Sequence, residues 1–180
     1  SLQIDPITAV VEFDGLVIEY RQYFYIMLKK PKGYVSATED GREKTVLELL
    51  PEKLQAMNLF PCGRLDKNTV GLMLLTNNGE LNHRLTSPKH HADKLYRVTL
   101  DIPANGEDVR AFAEGLELAD GTRCLPAKLE PLGPGESLIT VCEGKYHQVR
   151  RMMAARGMTV AYLERRQEGG LTLDGLPRGQ

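Results

Sequence analysis

Residues 70–75, Val-Gly-Leu-Met-Leu-Leu, form an unbroken apolar run between turn-forming residues. A short run of this kind reads as a buried strand. Directly before it stands Gly63-Arg64-Leu65-Asp66. A carboxylate beside a core strand costs free energy unless it is paired or hydrogen-bonded. Arg64 lies two residues from Asp66, so in an extended segment both side chains point the same way. Two readings stay open at this point: a structural ion pair that caps the strand, or a charged pair with a chemical task.

The rest of the chain arranges itself around that strand. Asp14-Gly15 marks a hairpin turn between two short strands within residues 7–18. Residues 23–28 are aromatic and apolar and read as a central strand, ended by Lys29-Lys30-Pro31-Lys32-Gly33. Thr45 is placed to cap a short helix that Pro51 interrupts. Asn77, with Glu80 three residues later, fits a capping box for a helix over 80–87. Residues 94–100 alternate, with Tyr96, Val98 and Leu100 on one face and Leu95, Arg97 and Thr99 on the other. A helix is expected over 107–116, strands over 127–132 and 138–142, a helix through Val149, Met152 and Met153 to Gly157, and a strand over 159–163. Strands outnumber helices and hairpin connections alternate with packed helices, which is an α+β pattern.

The 180 residues suffice for one domain, or one domain of two lobes. Net charge is −1, so a basic excess does not advertise a nucleic-acid binder. The distribution says more. Acidic residues gather in 39–52 and 107–117, and basic ones in 89–97 and 145–156, with Arg165-Arg166 beyond. The three cysteines, Cys62, Cys124 and Cys142, are far apart and form no Cys-x-x-Cys. They encode neither a zinc site nor a redox pair and read as reduced cytosolic thiols. No apolar run approaches bilayer length, so no membrane partner is expected. His90-His91 lacks a further ligand at metal spacing and reads as an exposed basic loop, so no metal is expected. Gly133-Pro134-Gly135 lacks the third glycine of a dinucleotide loop.

Three separated pieces resemble the pseudouridine synthases, in particular the subgroup that modifies small-subunit ribosomal RNA. They are Gly63-Arg64-Leu65-Asp66 with Thr69-x-Gly71-Leu72; Lys94-Leu95-Tyr96-Arg97-Val98; and Glu143-Gly144-Lys145-Tyr146-His147-Gln148-Val149-Arg150-Arg151-Met152. The resemblance implies a large, mostly antiparallel mixed sheet in two lobes with a cleft across its middle. It implies a catalytic domain over 21–180, preceded in 1–20 by the tail of an S4-like RNA-binding module and its linker. It further implies isomerisation of uridine to pseudouridine within RNA, without a cofactor, by a cytoplasmic monomer whose partner is ribosomal RNA.

That reaction breaks the bond from ribose C1′ to uracil N1, turns the base and joins C5 to C1′. A carboxylate is needed at the sugar, either to attack C1′ or to take a proton from C2′. The resemblance gives this task to Asp66, with Arg150 as the cation that keeps it ionised. It gives Tyr96 the detached base, by stacking, hydrogen bonding or help in removing the C5 proton. It gives Arg64 the space left when the uridine leaves its stack. Lys89, His90, His91, Lys94, His147 and Arg151 are expected to contact the RNA, chiefly its backbone. The alternatives are the same reaction on large-subunit RNA, a non-catalytic RNA-binding or ribosome-assembly protein, and an N-glycosylase that releases free base.

Overall fold

The computed structural model describes residues 10–18, 21–87 and 92–174. In chain order its strands are β1 (Val11–Phe13), β2 (Leu16–Ile18), β3 (Tyr25–Lys30), β4 (Phe60–Pro61), β5 (Val70–Thr76), β6 (Lys94–Leu100), β7 (Lys128–Gly133), β8 (Glu136–Val141), β9 (Val160–Glu168) and β10 (Leu171–Thr172). Its α-helices are α1 (Glu52–Gln55), α2 (Gly79–Thr86), α3 (Gly106–Glu114) and α4 (Gln148–Ala155). β1 and β2 form the hairpin expected from Asp14-Gly15, both of which adopt positive φ. The remaining strands form one mixed sheet in the order β3-β5-β9-β6-β8-β7, with β4 on β5 and β10 on β9. This is the α+β architecture expected, and no described helix is long and apolar enough to cross a membrane.

β5 is buried along almost its whole length because β3 flanks one edge, β9 and β4 share the other, and side chains cover both faces. Its contact with β9 is the sheet's one parallel pairing among the described strands, and it is brief: Val70 faces Glu164 and Gly71 faces Arg165. All other pairings are antiparallel. α3 lies against β7, where Ala127 N donates to Phe112 O at 2.8 Å, and α4 lies against β9. Leu28, Met73, Leu75, Val98, Phe112, Ile139, Met152 and Met153 fill the core between helices and sheet. Each such side chain stabilises the fold by roughly 1.5–3 kcal/mol.

Several boundaries move, for local reasons. The cap of α2 is Asn78, whose Oδ1 accepts from Leu81 N at 3.1 Å, and not the expected Asn77. Asn77 Oδ1 instead accepts from Phe24 N at 2.9 Å and so ties the turn to the start of β3. Thr45 precedes a single 3-10 turn, Val46–Leu49, with Glu48 Oε1 accepting from Thr45 N at 2.7 Å. β9 continues five residues past the expected end at 163. Its charged residues are paired across strands: Lys29 Nζ is 3.4 Å from Glu164 Oε1, and Arg165 and Glu168 are both buried.

Two features place the segment that carries Asp66. The first is Gly71, at φ +108, where a Cβ would lie 2.2 Å from Arg165 O and 2.7 Å from Arg165 N. Only glycine lets β5 come this close to β9. The second is Lys30, whose side chain is 0 % exposed at the end of β3. Its Nζ donates to Pro31 O at 3.2 Å, Lys67 O at 3.3 Å and Thr69 O at 2.8 Å. Gly33 N donates to Lys67 O at 2.8 Å. Ser36 Oγ accepts from Leu65 N at 2.9 Å and donates to Leu65 O at 2.8 Å. Segment 30–36 thus grips segment 65–69 on both sides of Asp66. The lysine-rich turn that ends β3 is thus a structural clamp.

Gly71→Ala should cost about 4 kcal/mol or more, because both contacting atoms are backbone and φ is unfavourable for alanine. A denaturant midpoint within about 1 kcal/mol of wild type would show that the two strands do not touch there. Burial lowers the Lys30 pKa from 10.5 to about 8, against the opposing field of Asp66. Between those values the unfolded chain holds a proton that the native chain has released. Unfolding free energy therefore rises with pH across the window. Relative to Lys30→Met, wild type should gain about 2–3 kcal/mol between its two ends, read from denaturant titrations. A difference that stays constant would mean that Lys30 titrates as an ordinary lysine.

Candidate active site

Three strands deliver side chains to one cleft of about 850 Å³. Asp66 stands in the loop before β5, Tyr96 on β6 and Arg165 on β9, and all three line it. β9 lies between β5 and β6, so Arg165 is opposite Gly71 on one side and opposite Tyr96 on the other. A register shift between Leu95 and Tyr96 skips Arg166 and brings Tyr96 level with Arg165.

Asp66 pairs neither with Arg64 nor with Arg150. Arg64 is exposed on the cleft rim. The ion-pair distance of Asp66 runs from Oδ1 to His147 Nε2, at 3.3 Å. His147 is the residue before α4 and has φ +47, an unusual backbone for a side-chain-bearing residue. That turn swings the imidazole from α4 onto the loop before β5.

Arg150, expected as the cation beside Asp66, points elsewhere. Its Nη1 donates to Val160 O at 3.0 Å, and it does not line the cleft. Its guanidinium takes the carbonyl at the beginning of β9 as partner, and His147 occupies the place beside Asp66. Arg165 is a buried cation that lines the cleft. It is 2 % exposed, and its Nε donates to Leu72 O at 2.8 Å. Its Nη2 lies 3.2 Å from Glu168 Oε2 but makes no hydrogen bond. A buried guanidinium with an unused donor beside a cleft is an expensive arrangement that a bound oxygen acceptor would relieve. Period-two alternation from the buried Leu163 would have put Arg165 on its face, had the strand been carried past 163.

Burial raises the Tyr96 pKa, with the Glu168 and Asp66 charges adding to the rise and Arg165 opposing it. The hydroxyl is therefore protonated at neutral pH and serves as a donor. Lys94 lines the cleft; its Nζ donates to Ala92 O at 2.9 Å and lies 4.0 Å from Glu168 Oε1. Burial lowers its pKa in spite of Glu168. Cys62 is inert, since burial pushes its thiol up to about 11.

The loop leading to His147 is fixed by Glu143. Its Oε2 accepts from Leu125 N at 2.9 Å and from Gln148 Nε2 at 3.0 Å, and its Oε1 pairs with Lys145 Nζ. Gln148 Oε1 accepts from Lys145 N at 3.0 Å. Arg151, expected to meet RNA, is engaged in an ion pair with Asp120 and donates from Nη1 to Tyr146 O at 3.2 Å. Lys89, His90 and His91 lie outside the described residues. The structure thus brings Asp66, Tyr96, Arg64, Lys94 and His147 to one cleft, adds Arg165, and leaves Arg150 out.

The chain is similar to a set of known proteins. Residues 24–155 match the family described as RNA pseudouridylate synthase. The chain is 46% identical over 153 residues to ribosomal small subunit pseudouridine synthase A of Escherichia coli, covering 83% of this chain and 65% of that protein. It is 43% identical over 175 residues to an uncharacterized RNA pseudouridine synthase of Bacillus subtilis, covering 95% of this chain and 73% of the relative. A crystal structure of a pseudouridylate synthase superposes with a TM-score of 0.83 at 39% identity, over 100% of this chain and 78% of that one. The protein of an archaeal box H/ACA particle, at 18% identity and a TM-score of 0.58, shares the fold over 83% of this chain and 48% of its own. On the match of family, relatives and fold, the chain belongs to the RNA pseudouridylate synthase family.

Proposed function

We propose that the protein isomerises a uridine of small-subunit ribosomal RNA to pseudouridine, in the cytoplasm, with Asp66 as the catalytic carboxylate. The observation that carries this is the convergence of Asp66, Tyr96 and Arg165 on one cleft from three strands. The small-subunit target follows the E. coli and Vibrio cholerae relatives, whose names specify it.

The chemistry follows from the groups. Uridine leaves its stack and enters the cleft, and Arg64 at the rim is placed to fill the space it vacates. Asp66 acts at the sugar, by attack on C1′ or removal of the C2′ proton, and the C1′–N1 bond breaks. Arg165 supplies positive charge, and its unused donor suits an oxygen of the detached base or of the sugar. Tyr96 holds the base against its ring, and its protonated hydroxyl donates to the base rather than taking the C5 proton directly. The base turns, C5 bonds to C1′, the C5 proton leaves and N1 gains one. No atom is lost or gained overall. His147 keeps Asp66 oriented from the α4 side while the segment around Lys30 fixes its backbone.

Asp66→Asn should retain under about a tenth of wild-type pseudouridine formation on small-subunit ribosomal RNA while RNA affinity is nearly unchanged. Free uracil among the products would instead indicate an N-glycosylase, and a tenth or more of the rate surviving would remove Asp66 from the chemistry. Arg165→Lys should fold but lose roughly tenfold or more in rate, because one ammonium cannot reproduce the guanidinium fork. Arg150→Ala should lose about 1 kcal/mol of stability with its bond to Val160 O and stay within about threefold of wild-type rate. The reverse ranking of the two arginines, in single-turnover assays, would return the catalytic cation to Arg150.

A further inference from the structure

Tyr146 is 74 % exposed, on the rim of the cleft. Leaving a large ring in water forgoes the stabilisation of burying it and leaves a flat face open to a partner. One face of this ring is already covered. The His147 imidazole stacks on it with centroids 3.9 Å apart and planes 18° from parallel. The same imidazole reaches Asp66 at 3.3 Å.

The backbone below the ring is held at every turn. Arg151 Nη1 donates to Tyr146 O, Gln148 Oε1 accepts from Lys145 N, and Glu143 ties Gln148 and Leu125 together. His147 keeps a left-handed backbone that costs free energy for a non-glycine residue. These constraints aim one aromatic plane from beside Asp66 towards solvent.

We propose that Tyr146 is a stacking platform for a nucleobase that neighbours the target uridine in the RNA strand, a proposal that rests on the RNA-modifying reading above. The chemistry recognised is a flat π-face one or two nucleotide steps from the sugar at Asp66. Every base has such a face, so the contact accepts any neighbour and contributes affinity and register, not sequence choice. A ring held in place beforehand gives that affinity without the cost of ordering it on binding. The stack also links the bound neighbour to the carboxylate, through His147.

The test uses the full chain, with Tyr146→Ala and Tyr146→Phe, in single-turnover pseudouridine formation on a small-subunit ribosomal RNA transcript. Tyr146→Ala should raise the half-saturating concentration by about 5- to 100-fold, while Tyr146→Phe stays within about twofold. Melting curves check that both fold, as an exposed residue should allow. A second readout uses a short single-stranded RNA with 2-aminopurine on the 5′ or the 3′ side of one uridine. Wild type and Tyr146→Phe should quench the fluorophore in at least one position, and Tyr146→Ala should not. Unchanged half-saturation and unchanged quenching in Tyr146→Ala would overturn the platform while the isomerase reading stands. Equal damage from Tyr146→Phe would overturn it too, since the hydroxyl and not the ring would then be responsible. A wild type that neither binds RNA nor forms pseudouridine would overturn both readings together.

Discussion

A guanidinium buried between two strands is the interaction on which the rest depends. Arg165 is taken out of water at a cost of several kcal/mol. The cost is offset by the Leu72 carbonyl and the nearby Glu168 carboxylate, each supplied by an adjacent or identical strand. That arrangement exists only because β5 and β9 meet backbone to backbone at Gly71. The same meeting sets the position of the loop before β5, hence of Asp66. On the other edge of β9 a register shift aligns Tyr96. The short parallel contact and that register shift together set the relative placement of all three groups.

Around this centre the protein spends polar groups on holding backbone. Lys30 and Ser36 fix the chain on both sides of Asp66, and Glu143 and Gln148 fix the approach to His147. Groups held in this way need little rearrangement when charge develops beside them. The walls of the cleft are thus braced by hydrogen bonds, and Arg165, which lines it, keeps one donor without a hydrogen bond.

Local pattern made some of this legible and left the rest hidden. The strand over 94–100 alternates so cleanly that its bounds and inward face follow from the residues alone, and Val70 to Leu75 announce their burial by being uniformly apolar. Asp66 and Tyr96 were reachable through motifs that sit on these strands. Arg165 was not, because the charged run after Leu163 looks like a solvated surface until the partners from β3, β5 and β6 are known. Arg150 attracted the role through its place in a long motif, and only its hydrogen bond to the Val160 carbonyl shows it turned away from Asp66. The choice between Asn77 and Asn78 as a helix cap was likewise settled by a distant group, the amide of Phe24. Lys30 illustrates the same limit, since an isolated lysine carries no sign that three carbonyls await it.

The β5–β9 contact joins residues far apart in the chain, and this bears on how the molecule comes into being. Contacts of long sequence separation form late, since the closure of a long loop must precede them. During synthesis the stretch carrying Asp66 emerges well before β9, and so does Tyr96. A nascent chain that has not yet released β9 has no Arg165 in place and no wall behind Gly71. It therefore lacks the completed cleft, however well β3, β5 and β6 have formed. The completed cleft is in this sense a report of finished folding, closed by the arrival of one strand.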